Sequence, residues 1–308
     1  MHFRWLAIVA ASGLWVGCGG EADKALNGYK KASLSSKADV EQWAATSSAP
    51  NVYVAANQVA LLLGLTGIGS GTQDTSCPAQ KKDGTTTTFT GGCTDENGDE
   101  WFGSMERKLE KEGSENATLT YKDFGFHQTT SCSGKSGKTK ILFAGTASVK
   151  GADTKQEFDL DIRMDVSGLD EDSCVERTDS GAWSYQGTYE GSSELTGRRT
   201  WNGSGRIGTS ELGVVEVETK AEVVDPSECG DEALSGTTTI KSDGHTAVIT
   251  YDGATDCDES STVKSSLDGG ASVELEGVSC TSATGPAISA WGLGLLGALG
   301  LMRRRARR

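Results

Sequence analysis

Three histidines, at positions 2, 127 and 245, bound the acid–base chemistry open to this chain. A Ser-His-Asp hydrolase needs a serine held against an imidazole, and no G-x-S-x-G elbow occurs anywhere. His127 and His245 stand beside Phe126 and Thr246 in strand-like surroundings, which reads as strand or surface histidines rather than general bases. The run Gly134-Lys135-Ser136-Gly137-Lys138-Thr139 has the look of a phosphate loop. A Walker-type loop, however, needs glycine where Cys132 stands, so a basic hairpin turn is the better reading.

Acidic turns are the next source of chemistry. Asp95, Asn97 and Asp99 occupy positions 1, 3 and 5 of an EF-hand-like loop, with Glu106 at position 12. Position 6 is Glu100 instead of the glycine that such a loop needs, and a strand over 100–110 competes with it. Asp252, Asp256, Asp258 and Glu259 form a second cluster. Both are expected to be solvated turns, with calcium binding as the alternative. Carboxylate pairs of the kind that hydrolyse glycosides are abundant, but their separation, about 5 to 10 Å, is a property of the fold and not of the sequence.

Cysteine supplies the firmest constraint. There are eight: Cys18, Cys77, Cys93, Cys132, Cys174, Cys229, Cys257 and Cys280. Zinc is a poor reading, because no C-x-x-C occurs and no histidine stands at ligand spacing; no cofactor is expected. With Cys18 and Cys280 assigned to the chain ends, six remain, an even number that fits up to three disulfides in an oxidising compartment. Of the 15 connectivities open to six cysteines, sequential pairing is preferred: Cys77 with Cys93, Cys132 with Cys174, Cys229 with Cys257.

The elements that must position these residues are mostly strands. Phe158, Leu160, Ile162, Met164 and Val166 alternate with Asp159, Asp161, Arg163 and Asp165, the pattern of a half-buried strand with one charged face. Val215, Val217, Thr219, Ala221 and Val223 repeat it against Glu216, Glu218, Lys220 and Glu222. About a dozen such segments follow one another from residue 77, joined by turns such as Asn97-Gly98 and Asp243-Gly244, without a long helical crossover. The expected fold is mainly β, an antiparallel meander forming a large curved sheet, a sandwich or an up-and-down barrel. Charged faces on the strands argue against a transmembrane barrel. Ahead of the meander, Ser36 opens a short helix over 37–45. A second, apolar helix covers 52–65 and is expected to pack on the β body.

The ends differ from the body. A basic start at Arg4 and an apolar run from Trp5 to Val16 have the proportions of a secretion signal. Gly17-Cys18, preceded by Leu14 and Val16, resembles the lipobox of bacterial lipoproteins, although Trp15 departs from its usual small residue. That resemblance implies that Cys18 is acylated and becomes the first mature residue; the alternative is ordinary cleavage after Gly20. At the other end, Ala287 to Met302 is uncharged over 16 residues and is followed by five arginines. As a helix it would be about 24 Å long, short of a ~30 Å hydrocarbon core. Cys280, the spacer from Thr281 to Pro286, this apolar run and the arginines together resemble the sorting tails called MYXO-CTERM. The resemblance implies membrane-protease processing and transfer to the cell surface; a plain C-terminal membrane helix is the alternative. The body, with Cys77-Pro78 at its start and Gly92-Cys93-Thr94 closing a Thr-rich strand, resembles exported β proteins of myxobacterial type, which implies no activity.

The organisation expected is therefore a signal peptide over 1–17, a flexible tether over 18–35, a short helical segment over 36–69, a disulfide-stapled β domain over 70–279 and a sorting or anchor tail over 280–308. Charge agrees with an exported, soluble body. The chain has 29 basic and 43 acidic residues, and setting aside Arg4 and the terminal arginines leaves 23 against 43, a net charge of −20. Nucleic acid is excluded as a sequence-independent partner by that balance. The partners expected are the membrane, through lipid and tail, and an unidentified surface ligand or protein. The function expected is a non-catalytic envelope or cell-surface lipoprotein with a binding or structural role, with a carboxylate-dependent polysaccharide hydrolase and a calcium-dependent adhesin as alternatives.

Overall fold

A computed structural model describes residues 20–62, 76–251 except short loop segments (97, 115, 153, 170–173, 193–196, 226 and 228–232), and 263–275. The signal segment, Cys18, Cys229, Cys257, Cys280, the acidic cluster at 252–259 and the C-terminal tail lie outside the described residues.

Four helices come first: α1 (Glu21–Gly28), α2 (Lys37–Ser47), α3 (Ala49–Ala56) and α4 (Gln58–Leu62). The meander follows. Its early strands are β1 (Ala79–Asp83), β2 (Thr86–Thr90), β3 (Cys93–Thr94), β4 (Glu100–Leu109), β5 (Ala117–Cys132), β6 (Lys135–Ala152) and β7 (Lys155–Leu169). The later ones are β8 (Glu176–Gly191), β9 (Arg199–Thr209), β10 (Gly213–Val224), β11 (Ser235–Ser242), β12 (His245–Thr250), β13 (Lys264–Leu267) and β14 (Val273–Glu274). Each strand pairs antiparallel with its neighbour in the chain, except that β2 and the short β3 both pair with β4. The sheet is open: β1 and β14 are its edges. Of the three architectures expected, the large curved sheet is the one adopted.

Turn chemistry explains the register. Asp243 and Gly244 both have positive φ, 47° and 86°, as a two-residue primed turn between β11 and β12 requires. Ser133 and Gly134 do the same between β5 and β6, so the Gly134–Thr139 run leads into a strand.

One face of the sheet is buried between its exposed edge strands β1 and β14. Phe158, Leu160, Ile162, Met164 and Val166 of β7 all point into it, with Phe89 of β2 at one side and Val263 beside β13 at the other. Thirteen strands lie side by side, β3 sharing the edge of β4 with β2, and at about 4.8 Å spacing they make a sheet roughly 60 Å wide measured along its curl. Helices α2 to α4 cover that width only because the sheet curls around them. Ala44, Ala49, Val52, Ala56 and Ala60 are fully buried in this trough, and Tyr53 packs on Phe158 and Trp201 with ring centroids 5.4 and 5.6 Å apart. Segment 36–69 is thus, as far as it is described, the filling of the β body and not an appendage to it. Helix α2 starts where Ser36 predicts: its hydroxyl accepts from the Asp39 N–H at 3.2 Å, and the Asp39 carboxylate accepts from the Ser36 N–H at 3.0 Å, a capping box.

The flexible tether expected over 18–35 is corrected from Gly20 onward. Helix α1 lies on the other, convex face, with Ala22 and Leu26 buried against Ala182 of β8. Its first N–H groups, of Glu21 and Ala22, donate to the Asp161 carboxylate of β7 at 3.2 and 2.8 Å. Beyond it, Lys31 bridges to Val214, and Ala32 and Leu34 are buried. A helix this short is marginal on its own; an aspartate from the sheet supplies the cap that its own sequence lacks. Asp161→Ala is expected to cost about 1 kcal/mol and to speed amide exchange across 21–26 while leaving α2 protected, as hydrogen-exchange mass spectrometry would read.

Candidate functional site

Two cysteine pairs are bonded as sequential pairing expects. Cys77–Cys93 ties the start of β1 to β3, and Cys132–Cys174 joins the β5–β6 tip to the chain entering β8, with Cα atoms 5.8 and 5.7 Å apart. The third expected pair, Cys229–Cys257, lies outside the described residues, as do Cys18 and Cys280.

The histidines are brought to carboxylates. His127 Nδ1 lies 3.2 Å from Glu100 on the convex face, and Lys138 shares the same carboxylate. His245 Nδ1 lies 2.7 Å from Asp268, and the hydrogen bond to Asp268 raises its pKa above the ordinary histidine value. Neither imidazole is hydrogen-bonded to a serine or threonine hydroxyl among the described residues. Because both partners of the second pair are exposed, its expected signature is local: NMR titration should show His245 holding its proton to a higher pH than free histidine, and Asp268→Asn should bring it back.

The Asp95 turn is built to hold itself. Asp95 Oδ1 accepts from the Asp99 N–H and Oδ2 from the Trp101 indole, both at 3.0 Å. Burial, with help from Asp95, pushes the Asp99 carboxyl up to about 6. Glu106, the residue an EF-hand would need, sits within β4 opposite Thr120. At about 3.3 Å per residue it is roughly 20 Å along the strand from Glu100. The calcium loop read at 95–106 is therefore not assembled, and no group of three or more His, Cys, Asp or Glu is placed to hold a metal among the described residues. Millimolar calcium is expected to leave the amide NMR shifts of Asp95 to Asp99 in place; a saturable shift there would reinstate the loop as a site.

Two charged side chains lie inside the trough, where the strand pattern expects solvated ones. Glu222 is fully buried, and burial raises its carboxyl to about 8 despite the opposing hydrogen bonds from the Ala49 N–H and the Thr238 hydroxyl. It faces the first turn of α3. A bulge between Lys220 and Val223 puts it there: Ala221 adopts φ 49°, its N–H donates to Asn202 Oδ1 at 2.8 Å, and the alternation slips by one residue. Ala221 is consequently exposed and Glu222 buried, the reverse of the expected pattern. A hydroxyl chain leads away from it, with Thr238 3.3 Å from Tyr251 Oη, and Tyr185 Oη donating to Thr219 at 3.2 Å.

Arg199 is the second charged side chain buried there, only 3% exposed. Its guanidinium lies 4.8 Å from the Tyr189 ring centroid and 5.9 Å from that of Trp201, while Nε donates to the Ser192 carbonyl at 2.6 Å. Burial lowers its pKa and raises that of Tyr53. No sequence signal marks Arg199, because a cation on a buried face looks like a cation on a solvated one.

These buried groups do not meet solute. An open cleft of about 440 Å³ does, between the chain before α2 and the turns that end β9 and β11. Lys30, Lys31, Glu211 and Asp243 line it together with the apolar Trp43 and Leu212. Among the described residues no helix is long and apolar enough to cross a membrane. No family model matches the chain, and comparison with curated proteins and with solved structures gives no match.

Proposed function

We propose that the protein is a non-catalytic, disulfide-stapled lipoprotein, exported and lipid-anchored at the outer membrane or cell surface, where it binds or supports another component. The observation that supports the reading is how close in sequence a packed element lies to Cys18. Helix α1 starts at Glu21, three residues after Cys18, with its first N–H groups capped by Asp161, so an anchor at Cys18 would hold the body close to the bilayer. The two disulfides fit an oxidising compartment. The strongly shifted carboxyl Glu222 is fully buried against α3 and is not placed beside a nucleophile, which favours binding over catalysis. In this reading the mixed-charge cleft is the place for a small ligand.

The test is the intact mass of the protein purified from its native envelope, before and after reduction. Acyl chains on Cys18, loss of the arginine tail and a gain of about 6 Da on reduction, two hydrogens for each of three disulfides, are the expected results. A retained arginine tail with no lipid would make it an inner-membrane-anchored periplasmic protein and end the sorting-tail reading.

A further inference from the structure

We infer that the convex face around the start of α1 is the surface that meets the membrane, with the headgroup layer of the bilayer as its partner. The inference rests on the acylated Cys18 proposed above and adds an orientation to it. Only Gly19 separates Cys18 from Gly20, so the chain between the lipidated residue and the fold can reach about 7 Å at most.

That short reach matters because Gly20 is locked. Its neighbours Glu21 and Ala22 donate to both oxygens of Asp161. A Cβ placed on Gly20 would lie 1.6 Å from Asp161 Oδ2, so the chain crosses the carboxylate with no slack. Arg163, next along the same face, reaches Glu21 at 3.4 Å. Asp161 sits mid-way along β7, which pairs with β6 and β8 near the centre of the sheet. The anchor thus emerges beneath the middle of the convex face and not from a rim. A curled sheet held at the centre of its convex face by so short a link keeps its trough turned away from the lipid.

The chemistry of the face fits a headgroup layer and not the acyl interior. Around the anchor stand Glu21, Asp23, Lys24, Asp123, Arg163 and Arg206, with side-chain exposures from 30% for Arg163 to 70% for Asp123. Charged groups of both signs stay hydrated at headgroup depth, whereas moving them into hydrocarbon would be strongly unfavourable.

The experiment uses the full acylated chain, its acylation verified by mass, in phosphatidylcholine vesicles carrying a headgroup-attached quencher. A fluorescent non-natural residue replaces either Lys24 on α1 or Lys82 on the β1 edge, which leaves the disulfides untouched. Quenching at least several-fold stronger at position 24 is expected. Inserting a long Gly-Ser segment between Gly19 and Gly20 should erase the difference while the acyl chains remain. Equal quenching at the two positions in the short-linked protein, or stronger quenching at 82, would overturn the orientation with the lipoprotein reading intact. A mass without acyl chains would remove both.

Discussion

Glu222→Gln is expected to leave stability nearly unchanged at pH 4 and to make the protein on the order of 4 kcal/mol more stable than the wild type at pH 9. The direction follows from where the proton resides. In the unfolded chain the carboxyl ionises near 4.5; in the trough, burial holds its proton up to about 8. Between those values unfolding releases a proton that the native state keeps, so wild-type stability falls by about 1.4 kcal/mol per pH unit. The stability that Glu222 contributes is fully present below pH 4.5 and is lost as pH rises through 8. Glutamine keeps the size and a hydrogen-bonding amide but cannot ionise, so the variant lacks this slope. Urea unfolding of both proteins at pH 4, 6, 8 and 9 reads the difference. Parallel stability profiles would mean that Glu222 is not buried as described and that the β10 bulge does not turn it inward.

The second large effect concerns the staples. Removing Cys132–Cys174 with a pair of serines is expected to cost about 4 kcal/mol, and removing Cys77–Cys93 about 3 kcal/mol. The order follows from the sequence separations closed, 42 and 16 residues, because the longer loop gains more freedom in the unfolded chain. The two bonds also protect different places. Cys77–Cys93 holds the edge hairpin of β1 and β2, whose strands are five residues each, while Cys132–Cys174 laces together the tips of two of the longest hairpins. Chemical denaturation of the two double variants, with and without reductant, separates them. An unchanged midpoint on reduction of the wild type would show that neither bond forms.

Strand β7 was fully legible in the sequence: five apolar residues alternating with four charged ones face inward as the period of two requires. Strand β10 was legible only as far as Thr219. Its alternation continues smoothly in the sequence, yet the bulge at Lys220–Val223 inverts everything after it, and nothing in Lys220-Ala221-Glu222 announces an αL residue. Bulges between Phe102 and Ser104 and between Tyr121 and Phe124 act on the curl in the same silent way, which is why an open sheet could not be told from a barrel. Helix α1 escaped for another reason. Its eight residues hold together through Asp161, some 140 positions further along, and a local pattern cannot contain so distant a cap. In segment 36–69 the helix after Ser36 was recognised, but the apolar one expected as a single helix over 52–65 starts at Ala49 and breaks at Asn57 into α3 and α4, and the enclosure of all three by the sheet is a tertiary fact. In the site, two of the three disulfide pairs, Cys77–Cys93 and Cys132–Cys174, were readable from cysteine order; Arg199 and Glu222 were not, because burial is what distinguishes them.

Filling the trough with the N-terminal helices sets the order of synthesis against the order of burial. The meander is built of neighbour pairings and can zip hairpin by hairpin as it is made. Tyr53, by contrast, finds Trp201 only after about 150 further residues have appeared, and until then Trp43, Val52 and Tyr53 have no sheet to cover them. The apolar surface of α2 and α3 is therefore made early and sheltered late, an aggregation hazard carried through most of the chain's synthesis. A holding chaperone acting on residues 37–62, and released only once β9 and β10 have paired, is the kind of help this topology calls for.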